Sequence, residues 1–291
     1  MMEKLSAPDL LVDVSWLAAH AESTSVRVVD CRWYLGGGNK GAEAYRRGHI
    51  PGALHVDVDT ELAGAPGSGP GRHPLPSPEA FARCLSRLGF TPGSLLVAYD
   101  DAGGAIAARL WWLLRYFGLA TAARVLDGGI HAWQAAGLPL STEEPTLAPA
   151  PLLPLTPRHV PAVDRAAVAR YRHDPRAVLL DARAGERYEG RVEPVDPRPG
   201  HIPGARSAPF AQNLVAPGGP FLDRDTLESR YRALGALDAP TLVCYCGSGV
   251  TACHTLLSLA LLGREDAILY EGSWSDWASD PSLPAATGPE P

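Results

Sequence analysis

Short apolar runs alternate with longer helical stretches along most of the chain. Residues 27–30, 95–99 and 124–126 are rich in leucine and β-branched residues, which favours strands. Residues 107–117 form a longer apolar stretch that is followed by Gly118, and this pattern predicts a buried helix. Strands that alternate with crossover helices form parallel sheets covered on both faces. The pattern therefore predicts an α/β fold with mainly parallel sheets flanked by helices.

The same series of motifs occurs twice in the chain. The hexapeptide Gly-His-Ile-Pro-Gly-Ala at residues 48–53 recurs without change at residues 200–205. Three further motifs recur in the same order, and the separations all lie between 144 and 152 residues. A period of this length indicates a duplicated domain and is too long for a solenoid repeat. We therefore predict tandem domains at residues 1–142 and 161–291, joined by a proline-rich linker at residues 143–160.

The motif Cys-Gly-Ser-Gly-Val-Thr at residues 246–251, hereafter the cysteine loop, follows an apolar run and precedes an apolar helix. That order places Cys246 at the carboxyl end of a strand and over a helix N-terminus, where backbone N–H groups favour an anion. Gly247 and Gly249 permit backbone angles that turn successive N–H groups towards the sulfur. A cysteine in this setting is a nucleophile in its thiolate form. The first copy has Asp100 at this position, so Cys246 is the single predicted nucleophile.

Composition and spacing exclude several classes of protein. The net charge of −6, with both signs interspersed, gives no basis for a nucleic-acid partner. Neither a membrane-spanning run nor a secretory signal is recognisable, which predicts a cytoplasmic protein without membrane association. The five cysteines do not have the spacing of a zinc site, so no metal is predicted. Cysteine-dependent phosphatases need an arginine where this chain has Ala252, which disfavours phosphatase chemistry.

Together, the repeat and the cysteine loop make the sequence resemble the tandem-domain sulfurtransferases of the rhodanese family over nearly its whole length. The loop is similar to that of the mercaptopyruvate-using members, whereas thiosulfate-using members typically carry basic residues in place of Gly247 and Ser248. The resemblance implies two rhodanese-like domains, of which only the second is catalytic. It also implies a reaction without a cofactor. In that reaction the Cys246 thiolate takes sulfur from a small-molecule donor as a persulfide and passes it to a thiol or cyanide.

Two other functions remain open at this point. The first is that of a thiosulfate sulfurtransferase, although a thiosulfate dianion favours nearby cations and Gly247-Ser248 supplies none. The second is that of a persulfide carrier in a protein–protein sulfur relay. A thioredoxin-like protein is among the possible thiol acceptors.

The resemblance further implies which residues bind the donor. Arg187 matches the first of two arginines that bind the carboxylate and keto group of mercaptopyruvate. Arg198 matches the second, but the intervening segment is two residues longer than usual, so Arg191 is an alternative. The predicted binding site is completed by four residues of the cysteine loop, namely Gly247, Gly249, Val250 and Thr251.

Ser248, His73 and Asp59 match a serine–histidine–aspartate proton relay proposed for some mercaptopyruvate enzymes. Ser248 would protonate or stabilise the leaving enolate, while His73, held by Asp59, would control the serine proton. This arrangement requires the first domain to reach the active site of the second. The alternative is that His73 only stabilises its own loop.

His49 and His201 occupy equivalent places in the two copies, although only one copy is predicted to be catalytic. Because both copies retain them, we predict structural roles, with each ring bonded to backbone near the Ile-Pro-Gly turn. Asp30 and Asp181, at equivalent strand ends, are likewise predicted to stabilise turns.

Overall fold

The computed structural model describes residues 10–291, which contain two five-stranded sheets in which every strand pair is parallel. The ten strands, β1 to β10 in chain order, are Leu11–Val12, Val26–Asp30, Leu54–His55, Leu95–Tyr99, Ala123–Leu126, Ala162–Val163, Ala177–Asp181, Ala205–Ser207, Thr241–Tyr245 and Ile268–Tyr270. The ten α-helices, α1 to α10, are Val14–His20, Lys40–Arg47, Pro78–Arg87, Ala107–Tyr116, Gly129–Ala135, Arg165–Tyr171, Gly185–Tyr188, Arg224–Ala233, Ala252–Leu261 and Ser273–Ser279. Two 3₁₀ helices are Ala120–Ala122 and Phe210–Asn213. None of the helices within these residues has the length and hydropathy needed to cross a bilayer.

The two sheets have the same topology. The strand order is β1-β5-β4-β2-β3 in the first and β6-β10-β9-β7-β8 in the second, so each strand corresponds to the strand five places later in the chain. Both central strands, β4 and β9, are buried over their last four residues. The predicted α/β fold with two parallel, helix-flanked sheets is confirmed. The duplication seen in the motifs is therefore also a duplication of the fold.

Local sequence signals account for where the helices begin and how they are buried. Ser77 caps α3 by accepting a hydrogen bond from the Ala80 N–H at 3.1 Å, and Pro78 stands at the first helical position. All ten residues of α4 are buried because this helix packs both on the first sheet and on α9. The mainly apolar sequence of α4 is thus typical of a helix inside the molecule and not on its surface.

A buried ion pair stabilises the same turn in each copy. The carboxylate of Asp30 lies 2.6 Å from Arg32, and that of Asp181 lies 2.6 Å from Arg183. Each arginine also donates to the carbonyl of the glycine that begins the repeated hexapeptide. Each aspartate in addition accepts the backbone N–H of its arginine, at 2.9 and 3.0 Å. The prediction that these aspartates stabilise turns is confirmed.

The repeated histidines have equivalent contacts as well. His49 Nδ1 bonds the carbonyl of Tyr45 at 2.9 Å, and His201 Nδ1 bonds the carbonyl of Tyr188 at 2.8 Å. Each imidazole stacks on the ring of that tyrosine, with centroids 3.9 and 3.7 Å apart. Their predicted structural role is confirmed.

The two halves of the chain share one hydrophobic core. The largest cluster of buried residues includes Trp111 of α4 and Leu257 of α9, and these two helices pack against each other. Residues 143–160 connect the halves without forming a helix or strand. The limits of this linker and of the two domains stay predictions.

Each half also extends an irregular segment onto the other. Residues 57–76, the first crossing segment, contact the second half, where the Arg72 N–H donates to Ser275 Oγ at 3.0 Å. Residues 209–222, the second crossing segment, contact the first half, where the Phe221 N–H donates to Asp127 Oδ1 at 2.9 Å. The contacts are reciprocal, so each half covers the carboxyl ends of the strands of the other.

We expect Gly103→Ala to weaken this reciprocal contact. Gly103 has a φ of +68°, and an added Cβ would overlap Leu214 and lie 2.8 Å from the carbonyl oxygen of Gly219. Gly137→Ala is a matched control, because Gly137 has a φ of +71° and open space around it. The left-handed backbone costs both variants about 1 kcal/mol, and the overlap costs Gly103→Ala about 2 kcal/mol more. Urea unfolding measures both losses, and equal losses would contradict the prediction.

Candidate active site

The cysteine loop surrounds the sulfur of Cys246 with backbone. Cys246 follows β9 directly and is 2% exposed, and the Gly249 N–H donates to its Sγ at 3.2 Å. Gly249 has a φ of +77°, and a Cβ there would lie 2.6 Å from the carbonyl oxygen of Glu271. Glycine is therefore required at this position both by conformation and by space. The Ser273 hydroxyl accepts the backbone N–H of Cys246 at 3.1 Å and holds the start of the loop.

The equivalent loop of the first copy, residues 100–106, contains its own anion. The Asp100 carboxylate accepts four backbone N–H groups at 2.7–2.8 Å, from Ala102, Gly104, Ile106 and Ala107. Burial raises the pKa of Asp100, and these four bonds oppose that rise by stabilising the carboxylate. The loop following the central strand thus encloses an acceptor atom in both copies: a carboxylate in the first and a sulfur in the second.

A cavity of about 390 Å³ opens over the cysteine loop. Both halves of the chain line it. Its residues are Trp33, Tyr34, Leu35, Arg72 and Ile106 from the first half and Arg183, Ala184, Arg187, Phe210, Cys246, Gly247, Ser248, Val250 and Thr251 from the second. The predicted residues Arg187, Gly247, Ser248, Val250 and Thr251 therefore share one cavity with Cys246.

Two arginines in this cavity share one counter-ion. Arg187 Nη2 lies 3.0 Å from Asp196, and Arg72 Nη1 lies 2.7 Å from the other oxygen of the same carboxylate. Both guanidinium groups reach the cysteine loop, because a Cβ at Gly247 would lie 3.2 Å from Arg72 Nη2 and 3.5 Å from Arg187 Nη1. The absence of a side chain at Gly247 makes room for them. The Nε of Arg72 is buried without a hydrogen-bond partner among the described residues.

Arg198 and Arg191, the candidates for the second arginine, do not line the cavity. Arg198 donates to the carbonyls of four residues near the C-terminal end of the chain, at 2.8–3.1 Å: Trp277, Ala278, Asp280 and Leu283. Arg191 is largely exposed and pairs with Glu189. Arg198 is thus bonded to backbone outside the cavity, and Arg72, which was not predicted from the sequence, lines the cavity together with Cys246.

One signal for Arg72 was present in the repeat. Counted back from the first residues of α3 and α8, Arg72 and His73 correspond to Gly218 and Gly219. The copy that carries the cysteine loop is therefore faced by a cation and an imidazole, and the copy that carries Asp100 is faced by two glycines. The spacing of residues within the second half alone does not contain this difference.

His73, Ser248 and Asp59 form a continuous hydrogen-bonded series. His73 Nδ1 lies 2.6 Å from Ser248 Oγ, and His73 Nε2 lies 3.0 Å from Asp59 Oδ1. Because the Asp59 carboxylate only accepts, Nε2 carries the proton and Nδ1 accepts the serine hydroxyl. Trp33 Nε1 donates to the other oxygen of Asp59 at 2.9 Å and holds that carboxylate.

His73 is a neutral acceptor at physiological pH. Burial lowers the pKa of His73 to about 4, and the nearby Arg72 and Arg109 also lower it, while Asp59 raises it in part. The series therefore has the order of groups found in serine hydrolases, with a neutral imidazole between a hydroxyl and a carboxylate.

The other four cysteines lie outside the cavity. Burial raises the pKa of the Cys31, Cys84 and Cys244 thiols well above the usual value and that of Cys253 to about 12. They stay protonated at neutral pH, as expected of packing residues. Cys253 Sγ donates to the Gly249 carbonyl at 3.3 Å and so supports the cysteine loop from behind.

We expect His73→Gln to reduce the pH dependence of stability. Unfolded His73 takes up a proton near pH 6.5, whereas burial lowers the folded-state pKa to about 4. The contribution of neutral His73 to the free energy of unfolding is therefore complete above pH 6.5 and is lost as the pH falls to about 4. Urea unfolding between about pH 7 and about pH 4.5 measures this loss, which should be smaller in the variant. Equal losses in both proteins would contradict a neutral, buried His73.

Known proteins are similar to this chain over nearly its whole length. The rhodanese-like domain family matches residues 13–136 and again residues 164–280. A probable 3-mercaptopyruvate sulfurtransferase of Pseudomonas aeruginosa is 44% identical over 280 residues, which cover 96% of this chain and 98% of that protein. A putative thiosulfate sulfurtransferase, SseB of Mycobacterium tuberculosis, is 39% identical over 266 residues, which cover 90% of this chain and 91% of that protein.

The fold is shared with solved structures of the same group. The crystal structure of the Escherichia coli 3-mercaptopyruvate sulfotransferase SseA superposes with a TM-score of 0.80 at 32% identity, covering 92% of this chain and 100% of that one. Both halves match the family separately, as the duplicated sheets and turns require. The chain therefore belongs to the rhodanese family and consists of two rhodanese-like domains.

Proposed function

We propose that this protein is a sulfurtransferase that takes sulfur from 3-mercaptopyruvate through a persulfide on Cys246. The observation that supports this donor most strongly is the hydrogen-bonded series Ser248–His73–Asp59, with bonds of 2.6 and 3.0 Å, whose serine lines the cavity that contains Cys246. A donor that leaves as an enolate needs a proton, and these three groups are arranged to supply it. The similarity to proteins named 3-mercaptopyruvate sulfurtransferase points the same way.

In the first half-reaction, the Cys246 thiolate attacks the sulfur of the donor. A sulfur–sulfur bond forms, and the carbon–sulfur bond breaks with its electron pair going to the three-carbon fragment as pyruvate enolate. Cys246 then carries the transferred sulfur as a persulfide. The Gly249 N–H, already bonded to Sγ at 3.2 Å, helps to stabilise negative charge on this sulfur.

The proton of the donor thiol travels through Ser248. The serine hydroxyl donates to His73, so its oxygen lone pairs are available to accept the S–H proton while its own proton passes to Nδ1. The imidazolium that forms is stabilised by Asp59. Return of the proton to the enolate gives pyruvate and restores neutral His73, so no external acid is consumed.

Arg187 and Arg72 bind the carboxylate of the donor. Without donor, both pair with Asp196, which keeps two guanidinium groups together in one cavity. A carboxylate on the cavity side can accept from both in charge-assisted hydrogen bonds. Binding at that end orients the sulfur towards Cys246, which lowers the entropic cost of reaction.

In the second half-reaction, an acceptor attacks the outer sulfur and Cys246 leaves as a thiolate. The acceptor is a thiol or cyanide, and a thioredoxin-like protein is our preferred macromolecular acceptor. A cytoplasmic location accords with this chemistry, because a reducing compartment keeps both the acceptor and Cys246 as thiols. Every step of the proposed cycle uses side chains and backbone groups of the protein, without a cofactor or a metal.

Thiosulfate is the second candidate donor. It is supported by the resemblance to the protein named putative thiosulfate sulfurtransferase and by the two arginines, which could bind sulfite as it leaves. Thiosulfate does not need a proton relay, because sulfite leaves as a stable anion. A persulfide carrier would use the same loop but would show slow turnover with every small donor.

We expect kcat/KM for 3-mercaptopyruvate to exceed that for thiosulfate by at least about tenfold, because only mercaptopyruvate uses the relay. Steady-state kinetics with both donors and cyanide as acceptor tests this. Cys246→Ser should abolish transfer from both donors, whereas Cys253→Ser, the matched control, should retain it. Equal or reversed kcat/KM values would favour thiosulfate as donor, and negligible turnover with both would favour a carrier.

We expect Arg187→Met and Arg72→Met each to raise KM for 3-mercaptopyruvate by about 10-fold to 100-fold, because each removes a charge-assisted bond to the donor carboxylate. Arg191→Met is the control, since Arg191 pairs with Glu189 outside the cavity. A wild-type KM in Arg72→Met would mean that a residue other than Arg72 binds the donor carboxylate together with Arg187.

A further inference from the structure

Arg109 is a fully buried arginine in a mainly apolar helix. It is the third residue of α4 in the first domain, and its exposed fraction is 0%. Removing a guanidinium from water is costly unless its donors are bonded. A buried arginine at the interface of two domains therefore requires hydrogen-bond acceptors around it.

The three nitrogens of Arg109 bond three carbonyls that belong to the two sides of the active site. Nη1 donates to Gly249 at 3.0 Å, Nη2 to His73 at 3.2 Å and Nε to Leu62 at 3.2 Å. Gly249 lies in the cysteine loop, and both His73 and Leu62 lie in the first crossing segment. A single planar group thus connects the segment that carries the relay histidine to the loop that carries the nucleophile.

The duplication provides an internal comparison. The residue equivalent to Arg109 is His254, the third residue of α9, and it also crosses to the loop of the other copy: its Nε2 donates to the Gly103 carbonyl at 3.1 Å. Burial lowers the pKa of His254 to about 4, so it is neutral at pH 7. His254 thus gives the loop without a nucleophile one neutral bond, whereas the Arg109 guanidinium bonds the cysteine loop and also the segment that carries His73.

We infer that Arg109 is a positioning residue for sulfur transfer, which fixes His73 and the cysteine loop relative to each other. The inference rests on the proposed function, because it concerns the same relay. By holding the His73 carbonyl, Arg109 helps to set the 2.6 Å contact between His73 Nδ1 and Ser248. Because a peptide is planar and trans, holding the Gly249 carbonyl also fixes the Val250 N–H, which points to the opposite side.

Three variants test this role: Arg109→Met, Arg109→Lys and His254→Leu. Arg109→Met removes all three donors, and a shift of about 1 Å in a reacting group lowers the rate about 100-fold. We expect kcat with 3-mercaptopyruvate to fall about 100-fold, with KM within about threefold of wild type because Arg72 and Arg187 are intact. Arg109→Lys, which keeps the charge and some donors, should recover part of kcat. His254→Leu removes the equivalent bond at the other loop and should keep kcat within about threefold.

A folded Arg109→Met protein with kcat within about threefold of wild type would overturn the inference. So would an equal loss of kcat in His254→Leu, which would indicate a general effect of the domain interface. Circular dichroism and thermal melting establish folding. If Arg109→Met does not fold, Arg109→Lys decides: a kcat at least about threefold below wild type with unchanged KM supports the inference, and a normal kcat overturns it.

A readout that needs no donor separates this inference from the proposed function. Alkylation of Cys246 by iodoacetamide should change in rate by more than about threefold in Arg109→Met and not in His254→Leu, because the cysteine loop moves only in the former. If wild type fails to transfer sulfur but the alkylation rates differ in this way, the proposed function is wrong and the positioning role stands. If wild type transfers sulfur and neither kcat nor alkylation responds, the positioning role is wrong.

Discussion

Backbone N–H groups that converge at the carboxyl end of a central parallel strand need an acceptor, and the rest of this molecule depends on how that need is met. In the first domain the acceptor is the Asp100 carboxylate, which satisfies four of these groups. In the second it is the Cys246 sulfur, which accepts the Gly249 N–H and stays open to a cavity. The same loop geometry thus yields a closed structural turn in one copy and a site suited to a thiolate or persulfide in the other.

Both domains contribute residues to the candidate site. The cysteine loop and Arg187 come from the second domain, whereas Asp59, Arg72 and His73 come from the first. The contact between α4 and α9 joins the domains through one cluster of buried residues, to which both crossing segments contribute. The polar groups of such a site must be held within about 0.5 Å of their productive positions. Packing of the irregular segments on this cluster helps to hold them there.

Local sequence signals were sufficient for the fold and for part of the site. Strands such as β4, the cap of α3 and the cysteine loop follow from patterns within a few residues, and the repeat doubled the evidence for each. The side chains of Ser248, His73 and Asp59 lie together as the resemblance implied, although their catalytic role stays a proposal. Arg198 lies outside the cavity, because the spacing of an arginine does not tell which carbonyls will bind it. Arg72 was missed because its position depends on packing between domains.

The two copies also differ in the residues that lie opposite their loops. The loop of Asp100 is faced by Gly218 and Gly219, where the cysteine loop is faced by Arg72 and His73. A cysteine restored at position 100 would therefore have neither a cation nor an imidazole opposite it. Those groups would have to arise in the other half of the chain, where Gly218 has a φ of +70° and an added Cβ would lie 2.9 Å from the carbonyl oxygen of Asp101. A single substitution at position 100 would therefore not supply these groups, and the symmetry of the two copies is confined to their architecture.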